Sequence, residues 1–378
     1  MPRLNNLVKR EDKILRKLLL VISVLFSCLA FCSAKAENGA THTLQKVAKV
    51  LEVQEKSSGE FREQLVKLEF ENEGKKEQIF LTNIVPDYQP YSIIAKANQY
   101  YLLGSDDSSD EVYIADYYRE PVVYTLMFVF FSLIILFGRM HGLKALLSLA
   151  LTGVAIIYFM IPGIKNGYNP ILLAVLVSAF ATGVTVFLIA GYTRKALAAT
   201  IGTTMGVSIA GIIAIIAIKL APLSGLANAD AQILLANIGD QKLDFQGLLA
   251  AGVIIASLGA AMDVTVSIAS ATQEVYEANP AQSKRELFAH AVTIGRDIMG
   301  TMTDTLLLAY TGASLPLFLL LYNESGLRLL NMEIIATELS SALIGSIGLV
   351  LAIPITAITA VFLLKGLDQL KGVSVEKE

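Results

Sequence analysis

Tryptophan is absent from this chain of 378 residues, and cysteine and histidine are scarce. The two cysteines, Cys28 and Cys32, both lie in the first apolar run, so no other cysteine remains for a disulfide framework or a zinc cluster. The three histidines, His42, His141 and His290, are far apart in sequence. We therefore predict no metal site and no cofactor.

Charged residues are also few, at 17% of the chain, and the formal net charge is only −3. Since no basic excess is present, we predict no nucleic-acid partner. Hydrophobic residues make up 54% of the sequence, and the mean hydropathy is +0.59. This much apolar material is typical of a multi-pass membrane protein, whose main partner is the lipid bilayer.

An export signal is predicted at residues 1–36. Basic residues between positions 3 and 17 precede a short apolar run from Leu18 to Phe31, and "AKA" follows at Ala34–Ala36. This order is that of a signal peptide with a small-x-small cleavage site. Whether the segment is cleaved or retained as a signal anchor stays open. Both possibilities place the next segment outside the cytoplasm.

Residues 37–119 are polar and show the period of β-strands. In "QLVKLEFENEGKKEQIFLTN", apolar Val66, Leu68 and Phe70 alternate with Lys67 and Glu69, and "NEGKK" supplies a turn. Further strands are predicted in "QKVAKVLEVQ", "EVYIADYY" and "ANQYYLLG". About five short strands predict a small extracytoplasmic β-barrel-like (OB-like) domain.

Residues 120–368 form the predicted α-helical multi-pass domain, followed by a cytoplasmic tail at 369–378. Apolar runs of about 17–25 residues can span a bilayer, and seven lie near 121–138, 142–162, 170–190, 196–219, 246–270, 298–322 and 340–364. Ten Lys and Arg residues fall on one predicted side and four on the other. The positive-inside rule then places the C-terminus inside, and we expect a bacterial plasma-membrane protein.

Two carboxylates lie within predicted spans: Asp263 in "GAAMDVTVSIASATQEV" and Asp304 in "GRDIMGTMTDTLLLAYTGASLPLFLLL". A charge in lipid costs about 2.5–3.5 kcal/mol, so such residues are candidates for function. Residues four and seven apart share a helix face. The faces of the two carboxylates form a predicted polar seam, with Gly259, Ser267, Ser270 and Glu274 on one helix and Asp297, Thr301 and Thr311 on the other.

Both carboxylates are predicted to lie at similar depth, about 12 Å from the cytoplasmic edge. The spans are consecutive and antiparallel, so Asp263 and Asp304 are predicted to face each other and to bind or relay a proton or cation, with Asp297 and Glu274 as further candidates. Two close carboxylates resist ionising together. The alternative is structural: each Asp only ties helices together through Ser and Thr hydroxyls or Arg296.

The segment between these spans carries its own signal. "SKRE" at Ser283–Glu286 is a capping box, and Leu287, Ala291 and Ile294 give one apolar face. We predict a cytoplasmic helix here that runs into the next span. It is either a docking element or a simple amphipathic connector.

Enzyme motifs are not found. The sequence has no G-x-S-x-G, no P-loop and no H-E-x-x-H. An intramembrane aspartyl protease would also use two Asp residues. However, its "YD" and "GxGD" contexts are missing, because Met262 precedes Asp263 and Thr303 precedes Asp304. We therefore predict no catalytic residue and no enzyme activity.

The chain resembles the YibE/F-like family of multi-pass membrane proteins over roughly residues 40–368. The resemblance rests on "VYIADYYR", on "LGAAMDVTVSIASATQEV" and on "GRDIMGTMTDTLLLAYTGASLPLFLLL". It implies an integral membrane protein with an extracytoplasmic domain and about seven or eight spans. It implies no particular chemistry.

Three functions are considered on this basis. The favoured one is a proton- or cation-coupled transporter of an unknown small solute or ion. The second is a permease-like subunit with a separate ATPase docking at residues 280–296. The third is a membrane scaffold or sensor that uses its extracytoplasmic domain. A homo-oligomer or a partner membrane subunit stays open in each case.

Overall fold

The computed structural model describes residues 46–375, apart from 59–60, 73–74, 87–91, 106–111, 239–241 and 323. Its contacts divide the chain into two compact units, which meet in sequence at Arg139 and Met140. The first unit contains a β-sheet and the second a bundle of helices. The predicted signal segment, residues 1–36, lies outside the described residues.

Five antiparallel strands form one sheet in the order β3-β2-β1-β4-β5. Alternate side chains point to one face, where Val50, Val66 and Leu68 are fully buried. Val50 lies opposite Leu68 in the β1–β2 register, so the two apolar stripes meet. The strands are β1 Lys46–Ser58, β2 Phe61–Asn72, β3 Lys75–Pro86, β4 Tyr100–Ser105 and β5 Val112–Tyr117.

A buried glutamine fixes the connection between β3 and β4. Gln64 on β2 is 1% exposed. Its Nε2 donates to Ala95 O at 3.3 Å, and its Oε1 accepts from the Ala95 N–H at 2.9 Å. Asn83 Nδ2 adds a bond to Ile93 O at 2.7 Å. These bonds satisfy backbone N–H and C=O groups that are not hydrogen-bonded to any strand.

The predicted β-rich domain is confirmed, and each predicted strand is present. The strands form an antiparallel half-barrel, with β3 and β5 at the ends of the strand order. A closed OB-like barrel is not confirmed. Whether a sheet closes depends on pairing between strands far apart in sequence, which alternation within each strand does not determine.

Helices follow the sheet, and the first of them begins within the first unit. They are α1 Glu120–Ala155, continued by a π-helical turn Ile156–Met160, then α2 Ile161–Lys165, α3 Pro170–Ala190, α4 Arg194–Leu220, α5 Ala229–Asn237, α6 Phe245–Ala278, α7 Lys284–Ala313, α8 Leu315–Leu320, α9 Gly326–Asn331 and α10 Glu333–Val375. α10 therefore extends into the segment predicted as the tail.

Five helical stretches are long and apolar enough to cross a bilayer: Glu120–Lys165, Pro170–Ala190, Arg194–Leu220, Phe245–Ala278 and Glu333–Gly366. The first has 46 residues, about 69 Å at 1.5 Å per residue and roughly twice the hydrocarbon thickness. Its backbone is non-helical at Arg139 (φ 45°, ψ −123°), between the predicted spans 121–138 and 142–162. α7 is not among the five, and the predicted count of seven spans is not confirmed.

Helices α4, α6 and α10 form the centre of the bundle, and α4 and α10 pack antiparallel at very short range. A Cβ at Gly206 on α4 would lie 2.7 Å from Ala352 Cβ and 3.2 Å from Gly348 O. One turn earlier, a Cβ at Gly202 would overlap Thr356. The stretch "IGTTMG" at 201–206 thus serves close helix packing. Small residues allow membrane helices to approach this closely.

Candidate functional site

The candidate site is the hairpin of α6 and α7, whose ends are fixed by caps. α6 starts after Asp244, whose Oδ1 accepts from the Gly247 N–H at 2.8 Å. α7 starts after Ser283, whose Oγ accepts from the Glu286 N–H at 3.2 Å, while the Ser283 N–H donates to Glu286 Oε2 at 2.7 Å. The predicted capping box is thereby confirmed. This pair of bonds holds the pKa of the Glu286 carboxyl below its ordinary value.

The inner face of α7 packs on α6 and α10. Leu287 and Ala291 are fully buried, as predicted, and Ile294 is half-buried. A Cβ at Gly295 would overlap Ile353 of α10 and lie 3.2 Å from Ile268 Cδ1 of α6. α7 continues without a break from the capping box into the predicted sixth span.

Two contacts set the register of the hairpin. Gly295 lies against Ile268, and farther along both Leu306 and Ser257 lie against Gly345 of α10. On α6, Ser257 and Ile268 are 11 residues apart, and on α7, Gly295 and Leu306 are also 11 residues apart. An antiparallel register with this spacing places the carboxylates about one turn apart in depth, about 6 Å.

In that register each carboxylate is level with a glycine of the other helix. Asp263 is level with Gly300, and Asp304 is level with Gly259. A Cβ at either glycine would meet nothing within 4 Å. Both glycines are exposed, so this open space is the exterior of the helical unit on that face. The sequence shows a glycine four residues before each aspartate, but the register that makes them level depends on the contact of Gly295 with Ile268.

The predicted polar seam lies on the outward face of the helical unit. Its exposed members are Gly259, Asp263, Ser267 and Glu274 on α6 and Asp297, Thr301, Asp304 and Thr311 on α7, while Ser270 is half-buried. The buried residues of both helices lie on their other faces. The period of 3.6 residues thus predicted correctly which residues share a face.

Hydrogen bonds within the seam are local. Thr301 Oγ1 donates to Ile298 O at 3.0 Å, and Thr311 Oγ1 donates to Leu307 O at 2.8 Å. Within the described part of the chain, Asp263 and Asp304 make no hydrogen bond or ion pair with each other or with Arg296. Their direct pairing stays a prediction, and so does the structural alternative.

Two hydroxyls near Asp304 were missed by the sequence reasoning. Thr303 Oγ1 and Tyr310 Oη are buried and have no hydrogen-bond partner in the described structure. An unpaired buried hydroxyl costs free energy. Neither residue belongs to the stripe predicted from Asp304, because each lies to the side of that face.

A cavity of about 220 Å³ lies elsewhere, at the starts of α3 and α6. Among its lining residues are the cap residues Asn169 and Asp244 and the side chain of Lys242. It is about 28 Å from Asp263 along α6, so it is separate from the carboxylates. Within the described residues, no three His, Cys, Asp or Glu side chains are grouped to hold a metal ion.

One family model matches the chain. It is described as YibE/F-like protein, and it matches residues 126–366, which include most of α1, all of α2–α9 and α10 as far as Gly366. Both candidate carboxylates lie within the match. No curated protein and no solved structure matches the chain.

Proposed function

Because this chain belongs to the YibE/F-like family, we propose that it is a multi-pass membrane transporter of a small solute or ion, coupled to protons or another cation through Asp263 and Asp304. The family and the apolar helices fit a membrane protein. The seven-span topology, with the sheet domain outside and the C-terminus inside, belongs to the same proposal.

The observation that carries this proposal is the position of the two carboxylates. Both lie within long helices, about one turn apart in depth, on the exposed face that carries the polar seam. In-membrane ionisable residues usually face a bundle interior or a water-filled cavity. A carboxylate that carries charge only when water or a cation reaches it can couple proton or cation binding to transport.

The outward position of the polar seam adds a requirement. A charged side chain facing lipid costs about 2.5–3.5 kcal/mol. In the proposed mechanism, Asp304 is either protonated when it faces lipid or covered by another polar surface. The transport cycle then alternates between the neutral carboxyl and a form that is hydrated or bound to a cation.

Labelling with the lipid-soluble reagent dicyclohexylcarbodiimide tests the protonation. This reagent modifies protonated carboxyls that are reachable from the bilayer. We expect it to modify Asp263 or Asp304 in lipid and to react less as the pH rises or as a coupling cation is added. Asp263→Asn and Asp304→Asn should each remove their own adduct, as read by mass spectrometry of the peptides. Asp230→Asn, which alters an exposed carboxylate on α5, is the matched control.

A flux measurement then tests the coupling. Reconstituted vesicles with an internal pH-sensitive dye receive an imposed pH gradient and a panel of monovalent and divalent cations. We expect cation-dependent proton movement in the wild type and in Asp230→Asn, and its loss in Asp263→Asn and Asp304→Asn. The double variant should be little worse than either single one, since residues that act as a unit are not additive.

The opposite result favours the structural alternative. If Asn at both positions leaves the proton movement intact, while Leu at either position prevents insertion, the carboxylates serve only as hydrogen-bonding groups. The transport proposal then loses its main support.

A further inference from the structure

One end of the helical unit gathers cations from three separate parts of the sequence. Arg194, at the start of α4, donates from Nη1 to Leu364 O of α10 at 3.0 Å. Lys365, the next residue of α10, donates from Nζ to Pro280 O, in the loop between α6 and α7, at 3.3 Å. These bonds bring the two helix starts and α10 together.

Aromatic rings position two of the cations further. Lys284 Nζ, at the start of α7, lies 5.7 Å from the centre of the Phe362 ring. Lys365 Nζ lies 5.8 Å from the centre of the Tyr276 ring. Phe362 and Lys365 are about one helical turn apart on α10. The cluster therefore surrounds a single turn of that helix.

Two more cations follow directly in sequence. Lys195 is half-buried and Arg285 is exposed, and each is the second residue of its helix. We call these five cations the basic end: Arg194, Lys195, Lys284, Arg285 and Lys365. Within the described residues, Lys195 and Arg285 make no hydrogen bond or ion pair.

Nearby carboxylates do not neutralise the basic end fully. Glu286 is held by the capping box with Ser283. Glu277 accepts a hydrogen bond from Gln273 Nε2 at 2.6 Å. Glu274 is exposed on α6, toward the predicted polar seam. Among the side chains that the structure describes at these helix ends, five cations thus accompany three carboxylates, two of which already have hydrogen-bond partners.

Four of these cations lie at the starts of helices, where the helix dipole favours anions. α4 begins after the cap residue Thr193 and α7 after Ser283, and each then places two cations in its first turn. The N-terminal end of a helix carries a partial positive charge, so cations there are repelled and anions are attracted. An anion bound among the five side chains removes this repulsion.

We propose that the basic end binds the phosphate of an anionic phospholipid headgroup. The charge complementarity is direct, because Arg and Lys are the side chains that bind phosphate oxygens. The depth also fits a lipid rather than a soluble anion. Four of the five cations lie in the first turns of α4 and α7, and Lys365 ends the apolar run of α10, where a headgroup would lie. Polybasic sites beside membrane helices attract anionic lipids by this mechanism.

Titration with defined lipids tests the proposal. The full-length protein, purified in a neutral detergent, receives phosphatidylglycerol, phosphatidylcholine or inorganic phosphate, and lipid binding is counted by native mass spectrometry. We expect phosphatidylglycerol to bind and to raise the melting temperature, and added salt to weaken both effects. Phosphatidylcholine and inorganic phosphate should bind much less well.

The test variant carries both Lys195→Gln and Arg285→Gln, because neither side chain makes a hydrogen bond or ion pair within the described structure. Each cation near a membrane surface contributes about a factor of five to anionic-lipid binding, so we expect the double variant to bind phosphatidylglycerol about 30-fold more weakly. Lys219→Gln is the matched control, since Lys219 is exposed at the opposite end of the same helix α4. Its affinity should not change.

Several results would overturn the proposal. Equal binding of phosphatidylcholine would show that headgroup charge is not recognised, and equal binding of inorganic phosphate would identify a soluble anion as the ligand. Wild-type affinity in the double variant, or an equal loss in Lys219→Gln, would remove the basic end as the site. If the double variant does not fold, Lys284→Gln replaces it and must show a loss of about fivefold.

Discussion

Two glycine-to-alanine substitutions separate the packed interface of the bundle from its open polar face. The perturbation is the same in both, one methyl group in the interior of a long helix. At Gly206 the new Cβ would lie 2.7 Å from Ala352 Cβ and 3.2 Å from Gly348 O. At Gly259 it would meet nothing within 4 Å.

The magnitude follows from these distances. Carbon atoms in contact prefer a separation of about 3.5–4.0 Å, so α4 and α10 must move apart at Gly206. The obstacles are a Cβ and a backbone carbonyl, neither of which can rotate away. Overpacking of this kind costs about 1–3 kcal/mol. The intrinsic helix preference of alanine over glycine acts on both variants and cancels in the comparison.

We therefore expect Gly206→Ala to be less stable than Gly259→Ala by about 1–3 kcal/mol. Equilibrium unfolding of the purified protein in mixed micelles, with increasing fractions of a denaturing detergent, measures this difference. Equal stability of the two variants, or a less stable Gly259→Ala, would contradict the close packing of α4 on α10.

Three further predictions concern other parts of the chain. Gln64→Leu leaves the backbone N–H and C=O of Ala95 without partners, so we expect the sheet to lose about 2–4 kcal/mol and to be cut faster in limited proteolysis. In a variant without native cysteines, Lys75→Cys should react with a membrane-impermeant maleimide added to intact cells. Arg285→Cys should react only after the cells are permeabilised. Reaction of both cysteines in intact cells would reject the proposed topology. The pKa of Glu286 is lowered by folding, so its contribution to stability is present above the unfolded-state pKa and is lost as the pH falls through the folded-state pKa. The melting temperatures of the wild type and Glu286→Gln should therefore converge in acid.

Local patterns predicted the elements of this protein well. The alternation of Val66, Leu68 and Phe70 predicted a strand, and "SKRE" predicted the start of α7. The spacing around Asp263 and Asp304 predicted which residues share a face. These features depend on residues within a few turns of one another, so they can be read from a short window of sequence.

Relations between distant elements could not be read in this way. Closure of the half-barrel depends on how β3 and β5 relate across the sheet. The offset of the two carboxylates by about one turn depends on Gly295 meeting Ile268 rather than on loop length. The outward position of the polar seam depends on α10 packing against the other face of α7, and α10 comes much later in the chain.

The close approach of α4 and α10 also bears on the order in which the protein is made. Roughly 140 residues separate Gly206 from Gly348, and at about 5–20 residues per second their synthesis takes about 7–28 s. During that interval the glycine surface of α4 has been inserted but has no partner from α10. The surface is small and apolar, so lipid can cover it for that time without an exposed charge. The contact of α4 with α10 is therefore one of the last to form, and a nascent chain that stops before α10 lacks one of the three helices at the centre of the bundle.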